Sequence, residues 1–489
     1  MQQLNHQDTM FLYSETPRTF MHLSSLHVYD QSTAPEPVTF DAIVEQVRGR
    51  MPLTRVLRRR LVRVPLNLDY PYWVEDENFD IEFHVRNIAI PPPGNRRQLW
   101  VQASRLHSQP LDLSRPPWEL YVIGGIDAVE GCPPGSFALF IKVHHSAIDG
   151  ISGIELMSAL HDLSPEGRPE TTDPWHGESP PSSVEMLARA AGNFARVPAR
   201  LLRVASRTLP AVRSLRDRSE LRGGPMGRFP KTVLNDKVRT NRIADGFRFD
   251  LATAKQIRKA VPGATVNDVI LAVVGGGLRR YLQSRDALPD EPVWAGVPIS
   301  LRTPEETEAV GNKIGMMVVT LGTDIPDPVD RLTAIQKSTS ASKEVETAVG
   351  ARTLAESGEL MPGALLGTAV RALPELGAGG VAQMIGNVCV TNVPGSQAPL
   401  YLCGARMEAY YGLGPVYDYA GPIHLVVSYV GRIYLSVTSS RDLLPDMERY
   451  IGDLKAALAE LEAATAPAKE TTPPRKRAKR TTAPSTGSH

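Results

Sequence analysis

Cysteine is scarce in this chain: only Cys132, Cys389 and Cys403 occur among 489 residues. An odd number without paired spacing builds neither a disulfide framework nor a zinc site, so a reduced, cytoplasmic setting is expected and no metal is. No run of eighteen apolar residues occurs, which excludes an apolar spanning helix. The opening MQQLNHQDTMFLYSE lacks the basic flank and apolar core of a secretory signal. A soluble or peripherally attached protein is therefore expected. Charge of one sign is also missing, with 54 Lys+Arg against 53 Asp+Glu. That balance gives no electrostatic footprint for nucleic acid. Several catalytic signatures are absent as well. Without Gly-x-Ser-x-Gly a nucleophile-elbow hydrolase is disfavoured, and without His-Glu-x-x-His so is a zinc hydrolase. Gly275-Gly276-Gly277 lacks a following Lys-Ser/Thr, so close helix packing explains it better than phosphate binding.

At 489 residues the chain exceeds one ordinary core and suits two domains. Residues 1–165 read as mixed α/β, with helical signal near 38–62 and a strand at 137–143 (FALFIKV) that runs directly into His144. From 164 to 181 the sequence SPEGRPETTDPWHGESPP packs Pro, Gly, Ser and acidic residues into a loop. Residues 166–245 then form a linker and an amphipathic helical segment. In it Leu187, Ala190, Phe194, Val197, Leu201 and Ala205 recur at helical spacing, and nine Arg stand against three acidic residues over 184–222. Pro198 and Pro210 should kink it. A second α/β domain is expected over 246–465, with strands at 247–251, 314–321, 388–391 and 433–438 and a last helix through YIGDLKAALAELEAA. The remainder, 466–489, is polar, basic and proline-bearing, and is expected to be disordered.

The most specific local signal is KVHHSAIDGISG. Two adjacent histidines sit where an apolar strand ends, and Asp149-Gly150 follow four and five positions after His145. Chance would produce HHxxxDG in a chain of this length roughly once in a thousand. Histidine is the side chain that titrates near neutrality, so it can take a proton from a hydroxyl and return one to a leaving thiolate. Asp149 can hold an Arg or a backbone amide, and Gly150 permits tight chain reversal. With a base but no obvious nucleophile, direct attack of an acceptor hydroxyl on a bound thioester is the simplest scheme.

Read with other segments, HHSAIDG resembles the bacterial wax ester synthase/diacylglycerol acyltransferase family. That family lies within the group sharing the chloramphenicol acetyltransferase-like fold. The likeness covers nearly the whole chain to about residue 463. It includes LNHQDTMFLYSE with Met21-His22, FDIEFHVRNIAIPPPG at 79–94, and LDLSRPPWEL at 111–120, where Pro117 replaces the usual Leu. It continues through VNDVILAVVGGGLRRYL with its Asn267-Asp268 pair, PISLR at 298–302, GNKIG at 311–315 and VTNVPGS at 390–396. HHxxxDG alone would not separate this family from its relatives; the Asn-Asp and Asn-Val-Pro-Gly segments do.

The resemblance implies two chloramphenicol acetyltransferase-like α/β domains, each a mixed sheet flanked by helices, with a channel between them. It implies His145 as general base beside His144, and Asp149 as an anchor with Arg302 as the candidate partner. Whether that pair is architectural or orients the base is left open. Asn267 is implied either as an oxyanion donor or as a helix N-cap, with Asp268 as structural support. Pro116, Trp118, Thr391 and Asn392 are the implied substrate-side residues, although the Asn-Val-Pro-Gly loop also reads as a plain turn. Long-chain acyl-CoA is the implied co-substrate, diacylglycerol or a fatty alcohol the acceptor, and no cofactor is needed. A peripheral membrane or lipid-droplet surface is the implied partner. Two rival readings keep the same residues: an acyltransferase fed by a carrier protein, and a non-catalytic lipid-binding or droplet-coat protein.

Overall fold

The computed structural model describes residues 1–148, 150–167, 177–197, 229–300, 314–349 and 385–466. Asp149, Arg302, residues 198–228 of the amphipathic segment and the tail from 467 lie outside the described residues.

Two six-stranded mixed sheets organise the protein. In chain order their strands are β1 (His22–Asp30), β2 (Val85–Ala89), β3 (Trp118–Gly124), β4 (Phe137–His144), β5 (Arg242–Asp250), β6 (Trp294–Ser300), β7 (Ile314–Thr320), β8 (Val388–Pro394), β9 (Tyr401–Leu402), β10 (Ala405–Leu413), β11 (Ile423–Tyr429) and β12 (Arg432–Ser440). The first sheet runs β9-β10-β1-β4-β3-β2 and the second β7-β6-β8-β11-β12-β5. Central β8 pairs in parallel with both β6 and β11.

The sheets do not divide the chain where the sequence boundary was drawn. Residues 401–413, inside the expected second domain, supply two strands of the first sheet, and β10 pairs antiparallel with β1 from Leu413↔Ser24 to Arg406↔Asp30. The second sheet in turn begins at Arg242, ahead of the expected boundary at 246. Apolar alternation says which face of a strand is buried but not which sheet it joins, so this exchange leaves no local trace.

Helices α2 (Phe40–Arg50) and α3 (Arg96–His107) pack into the core of the first sheet, and α6 (Val266–Gln283), α7 (Pro328–Val349) and α8 (Met447–Thr465) lie on the second sheet. Val388 and Val390 of β8 and Val426 of β11 point into the core beneath these helices. Their alternate neighbours Cys389, Thr391, Val393, Leu425 and Val427 face the other way and line a cavity, as the two-residue period of a strand requires. The three glycines of α6 are explained by contact. A Cβ on Gly275 would stand 2.1 Å from the Leu321 carbonyl oxygen, and one on Gly277 would stand 2.6 Å from a Leu454 methyl group.

Candidate active site

The N-terminal motif builds the floor of the site. Asn5 caps α1 (His6–Ser14) by accepting from the Asp8 amide at 2.7 Å. Leu4 and Leu12 pack with Leu61 and Trp73. This fixes Phe11, whose ring stacks on His145 with centroids 3.7 Å apart and 13° between planes. His145 follows β4, and its amide donates to the Met21 carbonyl at 2.8 Å, so strand and N-terminal segment hold the residue together.

His144 has the opposite environment. Strand alternation turns it away from the cavity into complete burial. Its Nδ1 accepts from the Ser146 amide at 3.1 Å and stands 2.7 Å from the Ser146 hydroxyl. That network assigns the ring proton to Nε2. Nε2 lies 3.4 Å from a Glu15 carboxylate oxygen, at ion-pair distance although not aligned as a hydrogen bond. The Ala147 amide closes the turn on the His144 carbonyl at 2.9 Å. His144 therefore shapes the turn on which His145 is presented.

Behind β4 lies a buried polar layer. Lys142 is fully buried and pairs with Glu119 at 2.8 Å, donating as well to the Gln109 carbonyl; burial lowers its pKa. The Ser24 hydroxyl donates to His107 Nδ1 at 2.8 Å, and His107 Nε2 donates to the Gly414 carbonyl at 3.1 Å. Burial first, then the positive charge of Arg242, pushes His107 down to about 3, and burial likewise holds His22 well below its usual range. These rings are neutral supports, and His107 ties Ser24 of β1 to Gly414, the residue after β10.

His145 opens into a cavity of about 950 Å³ between the two sheets, at the large end of the usual range for ligand pockets. On one side it is lined by Leu23 and Ile141 of the first sheet and by Leu156 and Met157 of α4 (Gly150–Leu160). On the other it is lined by Pro298, Met316, Cys389 and Ile423 of the second sheet. The walls are mostly aliphatic. A second histidine lines the cavity, and both its nitrogens are engaged: His161 Nε2 accepts from Tyr29 Oη at 2.6 Å, and Nδ1 donates to the Met157 carbonyl at 2.8 Å. Burial pushes the Cys389 thiol up to about 12, so it is a protonated and poor nucleophile.

The remaining candidate residues divide. Thr391 lines the cavity, whereas Asn392, the next residue on the strand, is exposed on the other side. Gly150 is the first residue of α4. Asn267 is the second residue of α6 and is not among the cavity's lining residues. The N-cap alternative for it is corrected. Thr265 is the cap, and it exchanges bonds with Asp268, whose buried carboxylate also accepts from Thr339 Oγ1 at 2.7 Å. Pro116 and Trp118 do not line the cavity either. Trp118 is 1% exposed, its indole N–H donates to the Leu57 carbonyl, and its ring stacks on His84. The segment acts on the site indirectly, since the Pro117 carbonyl accepts from the His144 amide at 2.9 Å. Phe11 and Glu15 were missed as site residues, although both stand in LNHQDTMFLYSE.

The model of the wax ester synthase/diacylglycerol acyltransferase catalytic domain matches residues 4–270, and that of the family's C-terminal domain matches 310–462. The chain belongs to this family. It is an O-acyltransferase of the α/β, two-domain kind. A Mycobacterium tuberculosis relative named as a diacylglycerol O-acyltransferase is 32% identical over 91% of this chain and 87% of its own. A second from the same organism is 34% identical over 92% and 97%. Among solved structures, the wax ester synthase/diacylglycerol acyltransferase of Marinobacter aquaeolei VT8 aligns with a TM-score of 0.66 at 27% identity, covering 95% of this chain and 99% of that one. The first condensation domain of the calcium-dependent antibiotic synthetase shares the fold, with a TM-score of 0.55 at 16% identity over 95% and 96%. In this acyltransferase the catalytic model spans the whole first sheet apart from β9 and β10, which the C-terminal model supplies.

Proposed function

We propose that His145 is the general base of an acyl-CoA-dependent esterification that makes neutral lipid, triacylglycerol from diacylglycerol or wax ester from a long-chain alcohol. The observation that carries this is the placement of the His145 ring in a large, mostly apolar cavity walled by both sheets. A cavity of about 950 Å³ suits two chains, the acyl group of the donor and the chain of the acceptor alcohol. His145 removes the hydroxyl proton, and the alkoxide oxygen attacks the thioester carbonyl carbon. The tetrahedral oxyanion then collapses with cleavage of the carbon–sulfur bond, and the CoA thiolate takes the proton back from the imidazolium. No acyl-enzyme is required, in keeping with the neutral Cys389 thiol, and the scheme calls for neither metal nor cofactor.

Radiolabelled palmitoyl-CoA offered in parallel to hexadecanol and dipalmitoylglycerol tests the reading. Labelled ester from either acceptor, without any carrier protein, supports it. No ester from free palmitoyl-CoA, with turnover restored by a carrier-bound acyl group, favours the carrier-fed alternative.

The proposal extends to a lipid surface that delivers these substrates. Helix α5 (Ser183–Ala195) buries Met186 and Ala190 against Val64, Tyr72 and Val74. It leaves Val184 77% and Phe194 66% exposed, on an element that contacts the segment carrying Leu66, itself 86% exposed. Apolar side chains displayed on a helix that also carries Arg189 and Arg196 suit an anionic lipid interface. Replacing Val184, Leu187 and Phe194 by Ser should weaken sedimentation with anionic liposomes, and unchanged sedimentation would place the contact elsewhere.

A further inference from the structure

We infer that Glu15 is a positioning residue for the reaction, acting on His145 through His144 and the turn 144–147; this rests on the assignment of His145 as the base. Three observations meet at this point. The Glu15 carboxylate faces Nε2 of a histidine that has no exposed surface, the nitrogen to which the network assigns the proton. The opposite nitrogen of that ring accepts from the backbone of Ser146, one residue beyond the base. Glu15 itself follows the last residue of α1, the helix whose Phe11 ring lies against His145. One short segment thus grips the catalytic turn from two sides, by a stack on the base and by a charge on its neighbour.

The chemistry gives this arrangement a direction. A carboxylate beside Nε2 favours the tautomer with its proton there, which leaves Nδ1 free to accept from Ser146. Were the proton on Nδ1, the Ser146 amide would face another donor and the turn would lose the bond that sets its shape. The His145 ring would then sample orientations away from the acceptor hydroxyl. Substrate binding in the apolar cavity beside His145 would be untouched, because Glu15 lines a separate cavity of about 410 Å³ with Thr16, Phe20, Ser108 and Leu111. The effect therefore belongs in kcat and not in KM.

Glu15→Ala, Glu15→Gln and His145→Ala are compared in the palmitoyl-CoA assay. Glu15→Ala should lower kcat about 10-fold to 100-fold, by analogy with the loss when the carboxylate behind a metal-ligating histidine is removed, with KM for palmitoyl-CoA unchanged. Glu15→Gln keeps an acceptor oxygen facing Nε2 and should restore most of the activity, which a general loss of folding would not allow. Nitrogen-15 spectra of histidine-labelled protein should show the His144 ring protonated at Nε2 in the parent and in Glu15→Gln. Should Glu15→Ala be too unstable to assay, Glu15→Gln and these spectra carry the test. A Glu15→Ala kcat within twofold of the parent, a Glu15→Gln variant as slow as Glu15→Ala, or a His144 proton at Nδ1 in the parent would each overturn the inference. If those results came with an inactive His145→Ala variant, the base assignment would stand and only the role of Glu15 would fall. An active His145→Ala variant would overturn both.

Discussion

Removing the ring that stacks on the proposed base gives a prediction whose sign separates two physical effects. Phe11 lies face to face with His145, centroids 3.7 Å apart. When His145 takes the alcohol's proton it becomes a cation over an aromatic face, an interaction of about 0.5–2 kcal/mol depending on desolvation. At about 1 kcal/mol the stack stabilises the charged transition state about fivefold. Phe11→Leu keeps apolar bulk and removes the π face; Phe11→Trp keeps the face. For Phe11→Leu the maximum of kcat/KM for palmitoyl-CoA should fall about fivefold. The acid limb of its pH profile should move to lower pH, because an imidazolium that has lost the aromatic face holds its proton less tightly. Phe11→Trp should leave the limb in place. An acid limb displaced to higher pH in Phe11→Leu would refute the reasoning, since it would mean that Phe11 chiefly desolvates the imidazolium.

Acid should unfold the enzyme early. Burial holds His107 at about 3 and His424 at about 4, against about 6.5 in the unfolded chain. Their contribution is therefore complete above pH 6.5 and is lost as pH falls from there towards 4 and 3. At pH 5.5 the two together cost about 3 kcal/mol, so the melting temperature should drop between pH 7 and 5.5, and a flat profile would contradict the neutral-ring assignment. Gly275→Ala should destabilise by about 1–3 kcal/mol or more, because its Cβ meets the Leu321 carbonyl oxygen at 2.1 Å; an unchanged melting temperature would deny that contact. Arg50→Met leaves the buried Asp162 carboxylate without the guanidinium now 3.0 Å away. It should cost about 3–5 kcal/mol, read by urea denaturation, and a loss below about 1 kcal/mol would show that solvent reaches the pair.

The parts of the site that were legible in the sequence are those written within a few residues of each other. An apolar strand delivering a histidine doublet can be read directly from FALFIKVHH, and β4 does run to His144. Phe11 was invisible by the same logic. Its contact with His145 spans 134 positions, and an aromatic among apolar helix residues looks like core. The motif LNHQDTMFLYSE marked the segment but not the atoms. Trp118 misled for a related reason: an aromatic in a family motif suggests a ligand contact, while its indole N–H is taken up by the Leu57 carbonyl within the core. Asn267 and Thr265 are both good capping residues. What decided between them was Asp268, placed three residues after Thr265 to complete a capping box. The crossing of 401–413 into the first sheet was not legible at all, because strand partners are chosen by the whole fold.

The central claim, that His145 is the general base and His144 its support, is tested most directly by esterification rates of His145→Ala and His144→Ala with palmitoyl-CoA and hexadecanol, both variants first shown folded by their melting curves. The account predicts that His145→Ala lowers kcat by at least about 10²–10⁴-fold, with His144→Ala falling less. A folded His145→Ala variant with near-parental turnover, or a larger loss in His144→Ala, would contradict it.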